Sequence, residues 1–270
     1  MAGMLYLCAT PIGNLEDITF RVLDTLRNVD VIAAEDTRNS IKLLNHFQIK
    51  TSMTSYHEYN KVEKAHYLIG LMQEGKDVAL VTDAGTPAIS DPGETLVALC
   101  YQAGIRVTSL PGAAACITAL TLSGLSTRRF CFEGFLPSDK KERKAVLEEL
   151  AEESRTMILY EAPHHLKKTL DELWNVLGNR KISICRELTK KFETVMLLMR
   201  ERTEGRVCAC NPGKKLGGEE AGSGAGMDGD GHRGTHAVLR GARNGAERSD
   251  ENGGERQRDR KAGRLPNAFG

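Results

Sequence analysis

Apolar positions along the chain fall into short unbroken runs that alternate with segments of helical spacing. Met4 to Ala9 is an apolar run ending at Thr10-Pro11, which predicts a strand entering a loop. Thr19 to Val29 carries Phe20, Leu23 and Leu26 at helical spacing, Val31 to Ala34 reads as a short buried strand, and Ile41 to Phe47 as a helix. Lys61 to Gln73 predicts another helix, with Ala65, Leu68, Ile69 and Met72 on one side. Val78 to Val81 is the clearest strand, bounded by Asp77 and by Thr82-Asp83-Ala84-Gly85. A helix over Glu94–Gln102, a strand over Arg106–Ser109 and a small-residue helix opened by Pro111-Gly112 and running through Leu122 complete this half.

After Gly124 the pattern restarts. Phe130 to Phe132 predicts a strand, Lys140 to Glu153 a charged helix with Val146, Leu147 and Leu150 inward, and Met157 to Tyr160 a strand. Leu166 to Leu177 then reads as a helix and Ile182 to Cys185 as a strand. Strands alternating with helices predict an α/β chain with largely parallel pairing, in two domains that meet near residues 115–128. The expected division is an N-terminal α/β domain over 1–118 and an incomplete C-terminal α/β domain over 119–198. Ligands of such sheets sit beyond the carboxyl ends of the strands, so the loops at Thr10, Glu35, Asp83, Pro111 and Glu161 are the ones to read for chemistry.

Composition changes this picture at one place. Of the 270 residues, 27 are Gly, and 16 of those lie in residues 200–270, where periodicity is lost. That tail carries 14 Lys+Arg against 11 Asp+Glu, leaving 23 against 25 for residues 1–199, so the patterned part is slightly acidic. By composition the tail is a disordered Gly/Arg-rich segment of the kind that sticks to RNA. Shifting the reading frame by one base gives another reading. From Glu204 a permitted codon choice yields RGEFVLVIRGKSWE, a buried-strand pattern, and from His236 onward it yields TRFYEEQGMERKEAMKTVAKD, an amphipathic helix. Residues 199–270 are therefore read as a frameshifted, disordered tail, with the slip between about Met196 and Arg200.

No apolar run approaches the roughly 20 residues that cross a bilayer, and Met1-Ala2-Gly3 does not open a signal pattern, so a cytoplasmic protein with no membrane partner is expected. The cysteines at 8, 100, 116, 131, 185, 208 and 210 are scattered and read as reduced thiols, and a lone C-x-C makes no zinc site, so no metal is expected.

The loop Ala9-Thr10-Pro11-Ile12-Gly13-Asn14 suits either close backbone approach to a ligand or a plain strand-to-helix turn. Thr82 to Gly93 packs two prolines, two glycines and two aspartates after a buried strand, more than a turn requires. Small side chains there expose main-chain groups to an amino-acid moiety or an adenosine; the plainer reading is two turns with Asp91 as a helix cap. Pro111-Gly112-Ala113 leaves room for a planar base, or for close helix–sheet packing. Glu35-Asp36-Thr37-Arg38 and Tyr56-His57-Glu58 concentrate ionisable groups at element ends, as functional groups or as charged caps. Two G-x-G-x-x-G matches, at Gly224 and Gly229, follow no strand, and no Walker A, H-E-x-x-H or G-x-S-x-G pattern occurs.

The blocks LYLCATPIGNLEDIT, AAEDTR, SYHEYN, ALVTDAGTPAISDPG, LPGAAA, EGFLP, LYEAPHH and CRELTKK appear in this order. Together they closely resemble the tetrapyrrole methylase family, in its branch that modifies small-subunit ribosomal RNA, over about residues 4–195. TDAGTPAISDPG and RELTKK are the most specific of them. The resemblance implies a two-domain tetrapyrrole methylase-like fold with the cofactor cleft between the domains, and S-adenosyl-L-methionine as methyl donor. It implies 2′-O-ribose methylation of a decoding-region cytidine in small-subunit (16S) rRNA, by a homodimer. The family's final strand also resembles the frame-restored RGEFVLVIRGKSWE. On the matching positions, the cofactor would meet Pro11 and Gly13, then Asp83, Ala84, Gly85, Thr86 and Pro87, then Pro111, Gly112 and Ala113, and from the second domain Tyr160, Glu161 and Ala162. RNA would be met by Arg38, Arg186 and Lys190.

A ribose hydroxyl is a weak acid, so its methylation is helped by a base or a nearby cation. Glu35, Asp36, His57 and Glu58 are the candidate bases and Lys190 the candidate cation, and the sequence does not rank them. A methylase of a tetrapyrrole or another small molecule shares the fold and donor, and an inactive truncated product is the reading in which the tail abolishes function. The EDTR and RELTKK blocks favour ribosomal RNA.

Overall fold

The computed structural model describes residues 1–198 and 236–240. In the first half the chain forms β1 (Met4–Cys8), α1 (Phe20–Asn28), β2 (Val31–Ala34), α2 (Thr37–His46), β3 (Met53–Ser55), α3 (Lys61–Gln73), β4 (Val78–Val81), α4 (Glu94–Gln102), β5 (Arg106–Leu110) and α5 (Ala115–Leu122). The strands pair in the order β3-β2-β4-β1-β5, every pair parallel. β4 lies at the centre and all four of its residues are buried, as a strand covered on both faces requires. Helix starts follow local chemistry: the Thr19 side chain accepts from the Val22 N–H at α1, and Asp36 accepts from the Arg38 N–H at α2.

Helices α1 and α2 pack on one face of this sheet, where Val22, Leu26 and Leu44 are buried against Ile32 and Ala79. Helices α3 and α4 pack on the other, where Leu68, Met72, Leu96 and Cys100 meet Leu5, Leu7 and Leu80. The adjacent strands β1 and β4 thus send their following helices to opposite faces. Their carboxyl ends therefore mark the switch point, where ligands of open α/β sheets bind.

The second half comprises β6 (Phe130–Phe135), α6 (Lys140–Glu152), β7 (Thr156–Glu161), α7 (Leu166–Leu177), β8 (Ile182–Arg186), β9 (Thr194–Leu198) and β10 (His236–Arg240), in a sheet of order β6-β7-β10-β8-β9. Only β6 and β7 pair in parallel; β10 runs antiparallel to both β7 and β8, and β8 antiparallel to β9. The expectation of largely parallel pairing therefore holds for the first sheet and fails for the second. A seven-residue connection from β8 to β9 is too short for a crossover helix, so the strands return as a hairpin.

The sequence also predicts a tail without structure after residue 198. Most of it, including Cys208 and Cys210, lies outside the described residues. Five of its residues form β10, with Val238 opposite Leu159 on one side and Ile184 on the other. An Ala-Val-Leu run is long enough to fill this slot, and filling it satisfies main-chain groups of both β7 and β8.

Strand β7 separates two clusters by its period of two. Met157 and Leu159 join Leu147, Leu150, Leu173 and Leu177 of α6 and α7. Ile158 and Tyr160 join Cys116, Ala119 and Leu120 of α5 together with Ile12 from the first half. That second cluster is the seam between the halves.

Because β10 is flanked on both sides, a proline at its middle removes a main-chain donor from the sheet interior. Val238→Pro is expected to cost about 3 kcal/mol or more, lowering the thermal midpoint by roughly 6–12 °C in a chain of this size. An unchanged midpoint by calorimetry would show that this segment does not occupy the slot.

Candidate active site at the strand tips

The carboxyl ends of β1, β4 and β5 are joined to one another by main-chain contacts. Thr10 N–H donates to the Gly85 carbonyl at 2.9 Å and Gly85 N–H returns a bond to the Thr10 carbonyl at 3.0 Å. The Thr10 hydroxyl donates to the Thr82 carbonyl at 3.1 Å, and the Thr86 hydroxyl to the Ala113 carbonyl at 3.0 Å. Gly85 takes this position at φ +96°, where an L side chain is strained. Gly112 passes so close to Ala9 that a Cβ there would lie 2.6 Å from the Ala9 Cβ. Gly13, Asp83, Ala84, Pro111 and Gly112 are exposed at these tips, while β4 beneath them is buried throughout and β1 largely so. The result is a shelf of accessible main chain with few bulky side chains, which suits a donor carrying an amino-acid moiety and an adenosine.

The second half closes on this shelf at three points. A Cβ on Gly13 would lie 2.6 Å from Lys190 Cγ and 2.9 Å from the Leu188 carbonyl oxygen, so the loop after β8 rests directly on the loop after β1. A Cβ on Gly134 of β6 would lie 3.0 Å from the Ser90 Oγ. The Cys116 N–H at the start of α5 donates to the Tyr160 hydroxyl oxygen at 3.0 Å, and Phe132 and Phe135 pack edge-on against that ring at 5.1 and 5.5 Å. Burial pushes the Tyr160 hydroxyl pKa upward.

The ionisable candidates separate clearly. Glu35 stands at the tip of β2, and its Oε2 accepts from the Thr82 hydroxyl at 2.7 Å and from the Asp83 N–H at 3.5 Å. Asn39 of α2 donates to Asp83 at 3.0 Å. Asp36 is fully engaged by Arg38, accepting from its Nε at 3.0 Å, its Nη2 at 2.8 Å and its main-chain N–H at 2.9 Å. Those bonds hold the Asp36 carboxyl down at about 2, so it is a poor proton acceptor and serves as the α2 cap. His57 and Glu58 follow the edge strand β3: the His57 N–H donates to Asn60, and Glu58 is paired with Lys61. Among the described residues neither bonds to the strand-tip loops. Lys190 reaches the shelf, with its Nζ 3.6 Å from Glu187, and Arg186 is exposed at the end of β8.

Glu161 does not face the cleft, contrary to the sequence expectation. The period of β7 that points Tyr160 at α5 turns Glu161 toward α6 and α7, where it accepts from Thr169 at 2.5 Å and lies 3.8 Å from Arg143. Its other oxygen accepts from the Ala162 N–H at 2.8 Å. This is a buried structural network rather than a ligand contact.

One group escaped the sequence reading. Asp91, a helix cap in the plainer reading of this loop, is not one, since α4 starts at Glu94 with Gly93 before it and no side-chain cap bond. Asp91 is partly buried, and its pKa is pushed up to about 6 by burial, with the Thr82 hydroxyl opposing and Glu35 and Asp83 adding to the rise. Glu35 and Asp91 thus flank one threonine hydroxyl, which has a single hydrogen to give. Behind this loop, on the α4 side, Leu7, Pro87, Val97 and Tyr101 line an apolar pocket of about 500 Å³.

Residues 4–201 match the family model for tetrapyrrole (corrin/porphyrin) methylases. Ribosomal RNA small subunit methyltransferase I of Halalkalibacterium halodurans is 57% identical over 191 residues, covering 71% of this chain and 66% of that protein. The protein of the same name from Haemophilus influenzae is 54% identical over 196 residues, covering 72% of this chain and 69% of its own length. The chain thus spans about two thirds of the length of these relatives. A solved structure of diphthine synthase shares the fold, with TM-score 0.62 at 13% identity over 89% of this chain and 90% of that one.

The Asp91 environment has a sign that stability measurements can read. Folded Asp91 keeps its proton up to about pH 6, whereas an unfolded aspartate releases it near pH 4, so wild-type stability falls as pH rises between those values. Asp91→Asn removes that loss. The variant is expected to melt higher than wild type at about pH 7.5, by an amount worth at most roughly 3 kcal/mol, and to lose its advantage below about pH 4. A difference that stays constant across that range would contradict the assignment.

Proposed function

We propose that this chain, which belongs to the tetrapyrrole methylase family, transfers the methyl group of S-adenosyl-L-methionine to the ribose 2′-hydroxyl of a decoding-region cytidine in small-subunit ribosomal RNA. The observation that carries this reading is the shelf of main chain at the switch point, joined with more than half-identical sequence to enzymes named for small-subunit ribosomal RNA methylation. The family match ends at residue 201, beside the position where the frame reading sets a slip. Action in the cytoplasm as a homodimer belongs to the same proposal. The exposed Ile89 and Tyr101 beside the open β5 edge support a second copy.

The residues that would hold the donor are those of the shelf: Pro11 and Gly13, Asp83 to Pro87, and Pro111 to Ala113, with Tyr160 and Ala162 bounding the far side. When bound, S-adenosyl-L-methionine supplies an electrophilic methyl group on a sulfonium sulfur. The chain's own work is then to align the ribose oxygen and to take one proton from it. Glu35, held by Thr82 and the Asp83 N–H, is the group that accepts the hydroxyl proton, and the O–H electron pair remains on the oxygen that becomes methylated. Asp91 shares Thr82 with it and keeps the site's charge low when protonated. The Lys190 ammonium, lying over the β1 loop, steadies negative charge developing on that oxygen. Asp36 is excluded from the proton transfer by its bonds to Arg38.

The test is methyl transfer from labelled donor to undermethylated small subunits, set against a corrinoid precursor, followed by digestion to nucleosides. Label in 2′-O-methylcytidine is expected; label only in the corrinoid would replace this reading by the small-molecule one. Asp83→Ala and Gly85→Trp are expected to abolish donor binding in calorimetry, the latter through backbone strain at φ +96° and crowding of Ile12 and Ala113. Normal binding in both would remove the donor from the shelf.

A further inference from the structure

We infer that the loop joining β8 to β9 reads the RNA, with Phe192 as a platform on which one unpaired base stacks; this rests on the ribosomal RNA reading above. Phe192 is 69% exposed. The other aromatic rings near the seam are engaged, since Phe132 and Phe135 pack against Tyr160. Among the described residues the only group stacked on the Phe192 ring is the Lys191 ammonium, 5.6 Å from its centroid. An aromatic face flanked by cations is the arrangement by which proteins hold splayed-out bases of single-stranded RNA.

The loop is stiff, which such a platform requires. Glu187 and Thr189 both take positive φ, 52° and 65°. Lys190 N–H donates to the Glu187 carbonyl at 3.0 Å and Glu193 N–H to the Lys190 carbonyl at 3.1 Å, making two linked turns. The Glu193 carboxylate braces them by accepting from the Thr189 N–H at 2.8 Å, and the Thr194 hydroxyl donates to the Phe192 carbonyl at 3.1 Å. Non-glycine residues held in the left-handed region are found where surrounding structure fixes a functional shape. The main chain that carries the ring is therefore held before any ligand arrives, which lowers the entropy lost on binding.

Position and charge complete the argument. Lys190 and Leu188 rest on Gly13, so this loop borders the donor shelf, and a base held by Phe192 belongs to a nucleotide near the reacting ribose. Arg186, Lys190 and Lys191 gather three cations in and beside this loop against the carboxylates of Glu187 and Glu193, on a patterned region whose overall charge is slightly negative. Long-range attraction cannot carry RNA affinity there, and stacking supported by a few cations can.

The experiment measures binding of the full chain to undermethylated small subunits over a salt series, together with donor binding and thermal melting. Phe192→Ala and Phe192→Leu are expected to weaken subunit binding by about fivefold or more, Phe192→Trp to retain it, and donor affinity and melting to stay unchanged in all three. Lys191→Ala is expected to reduce the salt slope by about one phosphate contact. Wild-type affinity in Phe192→Leu would overturn the inference, because leucine keeps apolar bulk without a π face. Loss of donor binding or of cooperative melting in these variants would overturn it too, by making the ring structural. If wild type itself binds no subunits, the ribosomal RNA reading falls and this inference with it; if wild type methylates subunits and the Phe192 variants match it, only this inference falls.

Discussion

Two reciprocal main-chain bonds between Thr10 and Gly85 hold the tips of β1 and β4 together at the point where their chains part to opposite faces of the sheet. At a switch point adjacent strands lose their ladder and diverge, leaving main-chain groups unpaired. The bridge pairs one set of these groups and fixes the rest in place. It needs a residue at φ +96°, which glycine adopts without a Cβ penalty. Thr10 and Thr86 then extend the joint sideways to Thr82 and to the β5 loop, so three strand tips behave as one rigid edge.

The second half is built to meet that edge. Ile158, Tyr160, Cys185 and Leu188 form an apolar seam with α5, and from it the loop after β8 projects Lys190 onto Gly13. Among the described residues, four of the five non-glycine residues with positive φ lie in loops by which the halves meet: Ala88 and Ser90 in the loop that touches Gly134 of β6, and Glu187 and Thr189 in the loop that rests on Gly13. Strain of this kind persists only where packing over-determines it. Its placement at the junction, rather than at remote turns, connects the fold's energetics with the site.

Much of the architecture was legible in the pattern of apolar positions. Strand β4 and helices α3, α4 and α7 show complete local signals with clear punctuation, and their predicted bounds coincide with those observed. Strand β3 was hidden because it has three half-buried residues and no apolar run. The second sheet's direction was illegible because β7 and β8 are buried almost along their whole length and so read as the continuous apolar runs of a parallel sheet, and only the short β8–β9 connection distinguishes them. The tail's Gly-rich composition concealed a strand because five residues suffice to fill a central slot whose two edges already exist. Within the site, the loops were legible and the roles were not. Glu35 and Asp36 are neighbours in sequence, yet one receives a threonine hydroxyl and the other an arginine. Tyr160 and Glu161 are likewise adjacent and point to opposite faces of β7. Asp91 entered the sequence reading only as a candidate helix cap because burial and shared hydrogen bonds leave no mark on local spacing.

The central claim is that the methyl donor is held by main chain at the joined strand tips, under the loop that follows β8. Amide hydrogen exchange with and without S-adenosyl-L-methionine addresses it directly. The account predicts that saturating donor slows exchange at residues 83–86 and 112–113 and in the loop 187–190, with the outer helices little changed. Protection confined to the apolar pocket beside α4, with the strand tips exchanging as before, would contradict it.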